Sequence, residues 1–341
     1  MDSNINRNLP SYSKLRQQLD LNAIQKGFID KDILSLSRAI TLIENPKHCY
    51  DPEVLNFLSG LRPQKNTLRI AVTGSPGAGK STLIEGLGLD LINLGYSVAV
   101  LAIDPASRET RGSILGDKTR MEKLSRAPEA FIRPSSNVLE SGGVRGSSFH
   151  TIRLCEAAGY DFILVETVGV GQSELGVSEI TDAVVLVLTP AGGDELQGIK
   201  KGIVESADII LVNKADHEYE AAAIRTQQHY ESALHLGRGR NTIFPKVEVR
   251  TVSALEGRGI PDLAKLLKES LENVDVREKI KLKRGDQNRA CFKKQAYELI
   301  NHQILANDRL KNKINDLSQA QDLFKGLLKI NEEFSKKLSQ L

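Results

Sequence analysis

The sequence predicts a doubly wound α/β fold with a mainly parallel sheet. Between Leu68 and about Leu263, short β-rich runs alternate with longer helical stretches. Strand–helix–strand repetition of this kind builds parallel sheets. Several of the runs are continuously apolar rather than alternating, as strands covered on both faces must be.

In chain order, about Tyr12 to Leu61 carries helical spacing, with Leu36, Ile40 and Ile43 on one face. Arg62-Pro63-Gln64-Lys65-Asn66 reads as a linker, because Pro63 discourages helix continuation. The predicted strands are Leu68–Thr73, Val98–Ile103, Phe162–Val165, Ala183–Leu188, Ile209–Val212 and Val247–Val252. After Pro261 there is no further proline, and Leu323, Leu327 and Ile330 keep helical spacing. Two or three helices are expected there, with a break near Gly285. The expected organisation is a helical segment over 1–62, the α/β domain over 63–263 and a helical arm over 264–341.

Of the 341 residues 40% are hydrophobic and 26% charged, an ordinary globular balance. Lys plus Arg number 46 against 43 Asp plus Glu, a net +3, too even for a dedicated nucleic-acid binder. With no Trp and 5% aromatics there is little from which to build a base-stacking platform. The cluster Lys279, Lys281, Lys283 and Arg284, interleaved with Ile280 and Leu282, reads as the solvated face of a helix. Three dispersed cysteines (Cys49, Cys155, Cys291) fit a reducing compartment and lack metal-ligand spacing. Met1 to Arg7 lacks a signal-peptide apolar run, and the longest apolar stretch, Ala183 to Leu188, is too short to span a bilayer. The expectation is a cytoplasmic protein with neither a membrane nor a nucleic-acid partner.

The chemistry sits in the glycines. Gly74-Ser75-Pro76-Gly77-Ala78-Gly79-Lys80-Ser81-Thr82 fits G-x-x-x-x-G-K-[ST], with a predicted strand before it and a helical stretch, Thr82–Leu94, after it. Glycines let successive backbone N–H groups turn inward toward a phosphate. The following helix adds the partial positive charge of its N-terminus. Lys80 supplies a full charge at the β/γ oxygens and the Ser81 hydroxyl can ligate Mg²⁺. The fold is therefore expected to be that of a P-loop NTPase.

The run Ile209–Val212 ends in Asn213-Lys214-Ala215-Asp216, an N-K-x-D string. The Asp216 carboxylate can accept from guanine N1–H and from the exocyclic N2 amine, whereas adenine would leave it unpaired. Lys214 can cover the base with its aliphatic stem, and Asn213 can tie this loop to the phosphate loop. Ser253-Ala254-Leu255 follows the last predicted strand, where a backbone N–H could donate to guanine O6. GTP and GDP are the favoured substrate and product.

Val98–Ile103 delivers Asp104 at the carboxyl end of a strand, where such sheets place their ligands. Asp117 lies within Gly112 to Met121, and Phe162–Val165 delivers Glu166. Ser81 with Asp104, Asp117 and Glu166 makes the candidate Mg²⁺ set, all hard oxygen donors. Gly169 lies where a backbone N–H can meet a γ-phosphate, so Glu166 to Glu174 is a candidate switch. Lys80, Asp117, Glu166 and Gly169 are the candidate catalytic set. Gln172 is near, but no side chain declares itself as the group that orients water, so intrinsic turnover is expected to be slow and to need a partner.

Three strings together carry a resemblance: Asp104-Pro105-Ala106-Ser107 with Gly112 to Met121; Val165-Glu166-Thr167-Val168-Gly169-Val170-Gly171-Gln172-Ser173-Glu174; and Thr189-Pro190-Ala191-Gly192-Gly193-Asp194-Glu195-Leu196-Gln197-Gly198-Ile199-Lys200-Lys201-Gly202. From about Ala39 to Arg289 the chain resembles the MeaB/ArgK GTPases, G-protein chaperones of adenosylcobalamin-dependent acyl-CoA mutases such as methylmalonyl-CoA mutase. The resemblance implies GTP hydrolysis coupled to cobalamin loading and protection of the mutase. It also implies a third switch at Thr189 to Gly202 and a homodimer formed through the C-terminal helical arm. Arg111-Gly112 stands where the family usually has a glycine pair, and Ala290-Cys291-Phe292 where it often has Trp. Two alternatives fit the residues less well. A nickel-delivering maturation GTPase would need a Cys-x-x-Cys or His-rich tract, which the sequence lacks. A transport-linked kinase or ATPase would have to reconcile ATP with Asp216.

Overall fold

A computed structural model describes residues 21–29, 32–45, 50–103, 121–135, 146–167, 173–190, 201–235, 242–244 and 246–305, with isolated positions beyond. The elements in order are α1 (Leu21–Ile29), α2 (Ile33–Glu44), α3 (Pro52–Gly60), β1 (Leu68–Gly74), α4 (Lys80–Asn93), β2 (Val98–Ile103), α5 (Glu122–Ser125) and β3 (Ala130–Ser135). There follow α6 (Gly146–Ala157), β4 (Phe162–Thr167), α7 (Ser173–Ser178), β5 (Ala183–Leu188), α8 (Lys201–Ser206) and β6 (Ile209–Val212). A 3₁₀ turn (His217–Tyr219) leads to α9 (Glu220–His235), β7 (Glu248–Thr251), α10 (Ile260–Glu272) and α11 (Val274–Leu305).

Seven strands form one sheet in the order β3-β2-β4-β1-β5-β6-β7, and every pairing is parallel. The chain thus runs from β1 out to β2 and β3 on one side, returns with β4 between β2 and β1, and continues through β5, β6 and β7 on the other, the reversal of a doubly wound sheet. Every residue of β1, β4 and β5 is buried, which is why β5 reads as an unbroken apolar run and β4 as one up to Glu166, while β1 is apolar but for the buried Arg69 and Thr73. Leu83, Ile84, Leu87 and Leu91 of α4 pack with Leu263, Ala264 and Leu267 of α10 over Ile70, Val72, Val98, Val100 and Leu164. α2 lies against α6 and buries Leu36, Ile40 and Ile43, as the spacing predicts, together with Ala39. Asp32 caps α2, its carboxylate accepting from the Leu34 and Ser35 amides.

The structure departs from expectation at three places. β3 was not foreseen: it is one of the two edge strands, and Arg133 and Pro134 interrupt its apolar character. An edge can carry a proline because one row of its backbone groups needs no partner. Gly285 does not break the last helix, which continues from Val274 to Leu305. A glycine costs a helix only about 1 kcal/mol against Ala, and residues on either side of it are tied down. Those ties are the third departure, because the basic cluster is not simply a solvated face. Lys279 and Lys281 are exposed, but Lys283 Nζ donates to Asp182 O at 2.7 Å. Arg284 donates through Nε to Asp182 Oδ1 at 2.8 Å, through Nη2 to Thr67 O, and pairs through Nη1 with Glu156. Burial would lower the Arg284 guanidinium pKa, yet the hydrogen bond and charge of Asp182, with Glu156, carry it above the usual value.

The chain divides into two compact units, Met1–Gln287 and Asn288–Leu341, and the whole sheet belongs to the first. Among the described residues no helix is long and apolar enough to cross a membrane.

Candidate functional site

The carboxyl ends of β1, β4, β5, β6 and β7 bring the sequence-selected groups together. β1 ends at Gly74, whose φ of 145° and close approach to β5 both demand glycine. A Cβ there would lie 2.1 Å from Val187 O. The loop then turns through Gly77 (φ 77°) and Gly79 (φ 87°), and α4 starts at Lys80. A Cβ on Gly79 would meet Asn213 Nδ2 at 2.4 Å. This glycine therefore serves the approach of the N-K-x-D loop as much as the turn itself. Lys80 is buried and folds across its own loop, donating to Gly74 O at 2.8 Å and Ser75 O at 3.0 Å. Its ammonium charge is thereby positioned inside a ring of backbone, a setting built to attract an anion.

The register of β1 on β4 pairs Val72 with Glu166, which sets the Glu166 carboxylate beside the start of α4. Ser81 Oγ donates to Glu166 Oε1 at 2.7 Å, and Glu166 is buried. Two hard oxygen donors thus meet at the mouth of the phosphate loop, the chemistry a Mg²⁺ site uses. One position further along each strand, Thr167 Oγ1 donates to Thr73 Oγ1 at 2.9 Å, both fully buried. That bond ties the root of the phosphate loop to the root of the Glu166–Glu174 segment. Sequence reasoning missed it, although a polar residue ending each of two apolar runs was a visible signal. Asp104, Asp117 and Gly169 lie outside the described residues.

At the other end of the site Asn213 leaves β6 and bridges two loops. Its Nδ2 donates to Ala78 O at 2.8 Å, and its Oδ1 accepts from Ala254 N at 2.9 Å. Asp216 is buried and its Oδ2 accepts from Ser253 Oγ at 2.6 Å. The Ser253 amide donates to Arg258 O and the Ala254 amide to Asn213, while Leu255 is 79% exposed. Lys214 is exposed and adopts a left-handed φ of 60°. A phosphate-type cradle, a hydroxyl–carboxylate pair and an acceptor aimed from a fixed loop therefore share one edge of the sheet.

Comparison with known proteins is consistent with this arrangement. The family model described as methylmalonyl Co-A mutase-associated GTPase MeaB matches residues 36–309. GTPase ArgK of Escherichia coli (strain K12) is 42% identical over 275 residues, covering 80% of this chain and 83% of that protein. The mitochondrial methylmalonic aciduria type A homolog of Mus musculus is 39% identical over 302 residues, covering 85% and 71%. The crystal structure of a LAO/AO transport system kinase superposes with a TM-score of 0.67 at 32% identity, over 93% of this chain and 98% of that one. With the family model spanning the sheet and every loop of the site, the chain belongs to the MeaB family of GTPases.

Proposed function

We propose that this GTPase serves as a G-protein chaperone of an adenosylcobalamin-dependent acyl-CoA mutase of the methylmalonyl-CoA mutase type, supporting cobalamin loading and protecting the mutase. The observation that carries this reading is the match of a mutase-associated family model over residues 36–309. The name of the mouse relative and the three strings at 104–121, 165–174 and 189–202 support it. The alternative of nickel delivery has no specific observation in its favour.

Within that reading the site residues take these roles. Gly74 to Thr82 surround the phosphates, and Lys80 exchanges its two carbonyl partners for the β/γ oxygens. Asn213, Lys214 and Asp216, with Ser253 to Leu255, receive the guanine. Ser81 and Glu166, with Asp104 and Asp117, would hold Mg²⁺, which would supply charge neutralisation at the β and γ oxygens. The Ser81–Glu166 hydrogen bond keeps those two oxygen donors oriented toward each other at the mouth of the phosphate loop. Gly169 offers its amide to the γ-phosphate. The chain is assigned to the cytoplasm as a homodimer using the arm over 264–341, with 63–263 as the G domain and 1–62 as a helical segment. Phe292 and Tyr297, each 73% exposed on α11, are apolar side chains that a dimer could cover, and sedimentation equilibrium measures its presence.

The reading is tested by mixing the purified protein with methylmalonyl-CoA mutase and following phosphate release. Alone, turnover is expected well below one per second; with the mutase it should rise by about tenfold or more, as partner-supplied groups do in other GTPases. Intrinsic turnover of tens per second, or indifference to the mutase, would overturn it. Ser81→Ala is expected to raise the Mg²⁺ concentration needed for half-maximal hydrolysis at least about tenfold, the lower end of what losing even an outer-sphere partner costs. GDP binding in chelator should change little, and a Mg²⁺ titration of both proteins checks this. Asn213→Ala removes two hydrogen bonds between loops and is expected to weaken GDP roughly 30- to 100-fold, at about 1 kcal/mol or slightly more per bond. Titration with a fluorescent GDP analogue reads that loss directly.

A further inference from the structure

We propose that Arg258 is a positioning residue for guanine recognition, holding Asp216 in place through the carbonyl of Ala215. The proposal rests on reading Asn213–Asp216 as the guanine site.

The starting observation is backbone strain. Lys214 (φ 60°) and His217 (φ 45°) both occupy the left-handed region, and neither is glycine. Two such residues flanking Ala215-Asp216 persist only where the surroundings over-determine the chain. The fixing point is Ala215, whose two polar backbone groups are both engaged. Its N–H donates to Val252 O at 3.0 Å, and its carbonyl accepts from Arg258 Nη2 at 2.7 Å.

Arg258 is itself anchored from several sides. Its carbonyl accepts from Ser253 N at 3.0 Å, closing an isolated antiparallel bridge. Its Nη1 donates to Glu220 Oε1 at 2.9 Å, at the first residue of α9. Its Nη2 also lies 3.2 Å from Glu256 Oε2. Gly257 (φ 74°) and Gly259 (φ 78°) fold the segment back so that the side chain crosses to the N-K-x-D loop. A Cβ on Gly259 would lie 3.0 Å from Val252 Cγ1 and 3.2 Å from Thr251 O, so the fold-back is tight.

One guanidinium therefore spans the two loops that carry Asp216 and Ser253. Ser253 Oγ orients the Asp216 carboxylate from one side, while Arg258 fixes the peptide immediately before it. A planar fork with several donors suits this bridge; a lysine offers a single point of charge and loses the second anchor. Guanine recognition by Asp216 needs two acceptor positions aimed at N1–H and the N2 amine, so a small rotation of the 215–216 peptide spoils the second contact first.

The test compares GDP with IDP, which has the same phosphates and N1–H but lacks the N2 amine. In the full-length protein, Arg258→Met is expected to lower the GDP-to-IDP affinity ratio about fivefold or more, the size of one lost hydrogen bond. IDP affinity should shift less than about twofold on the same accounting, and Arg258→Lys should give an intermediate ratio. Equal weakening of GDP and IDP, or an unchanged ratio, overturns the proposal. Circular dichroism reports folding, and should Arg258→Met not fold, Arg258→Lys decides alone: a GDP-to-IDP ratio below the parent's supports the proposal and the parent ratio overturns it. Asp216→Asn separates the two levels of the argument. If it leaves the GDP-to-IDP ratio unchanged, the guanine reading itself fails. If it collapses the ratio while Arg258→Met does not, only the role of Arg258 fails.

Discussion

Asp216→Asn is expected to weaken GDP and GTP on the order of a thousandfold, because two hydrogen bonds to a charged acceptor are worth about 1.5–3 kcal/mol each. The amide can still accept from N1–H, but its NH₂ group then faces the guanine N2 amine, donor against donor. Xanthine carries a carbonyl oxygen at that position, so the same amide pairs with it. XDP affinity should therefore rise while GDP affinity falls, and isothermal titration with both nucleotides measures the exchange. The fold has little reason to respond. Asp216 accepts from Ser253 Oγ at 2.6 Å, and the Asn side-chain oxygen can accept the same bond. A melting temperature near the parent's, together with reversed base preference, is the expected pair of results. Unchanged GTP affinity would remove Asp216 from the base site.

How much of this was legible in the sequence follows from where each interaction finds its partner. The strands covered on both faces announced themselves as apolar runs, and β2, β5 and β6 have the bounds their runs gave. β3 did not, since an edge strand needs no unbroken apolar run and this one carries Arg133 and Pro134. In the same way, the phosphate loop and N-K-x-D are strings because the groups that surround a small ligand lie on short stretches at strand ends. One tie between those strings was legible, since Asn213 reaches Ala78 O in the phosphate loop as its place in N-K-x-D suggests. The others were invisible: Ser253 reaches Asp216, Thr167 reaches Thr73 and Arg258 reaches Ala215 O. Each of these pairs residues distant in sequence whose side chains give no hint of the partner. The basic cluster failed for a related reason: alternating Lys and Ile looks the same whether the charges face water or a buried carboxylate. Only Asp182 and Glu156, more than a hundred residues earlier, decide that Lys283 and Arg284 turn inward.

That buried network leads to the largest expected effect on stability. Glu156 is 0% exposed and Arg69, which holds it bidentately through Nε (2.9 Å) and Nη2 (2.8 Å), is 2% exposed. Arg284 Nη1 approaches the same carboxylate at 3.0 Å, and the Arg69 guanidinium also sits over the Phe149 ring, 5.8 Å from its centroid. Glu156→Ala leaves the Arg69 guanidinium without its counter-charge in the interior, while Arg284 keeps Asp182, a change worth about 3–5 kcal/mol. At roughly 2–4 °C per kcal/mol for a domain of this size, the melting temperature should fall by about 10 °C. Glu122→Ala is the matched control, because its pair with Arg126 is mostly exposed and such pairs contribute about 0–1 kcal/mol. Arg69 lies near the start of β1, whereas the phosphate loop leaves its far end, so below the transition GDP affinity should stay within about twofold of the parent, as for independent sites. Differential scanning fluorimetry with and without GDP separates the two quantities. An unchanged melting temperature would mean that the interior tolerates Arg69 without its carboxylate, through water entry or rearrangement, and the network would then contribute little to holding the first half of α11 against the sheet. A large loss reversed by Arg69→Met in the same chain would instead assign the cost to the uncompensated charge, since apolar side chains of similar volume can replace such a pair with little penalty.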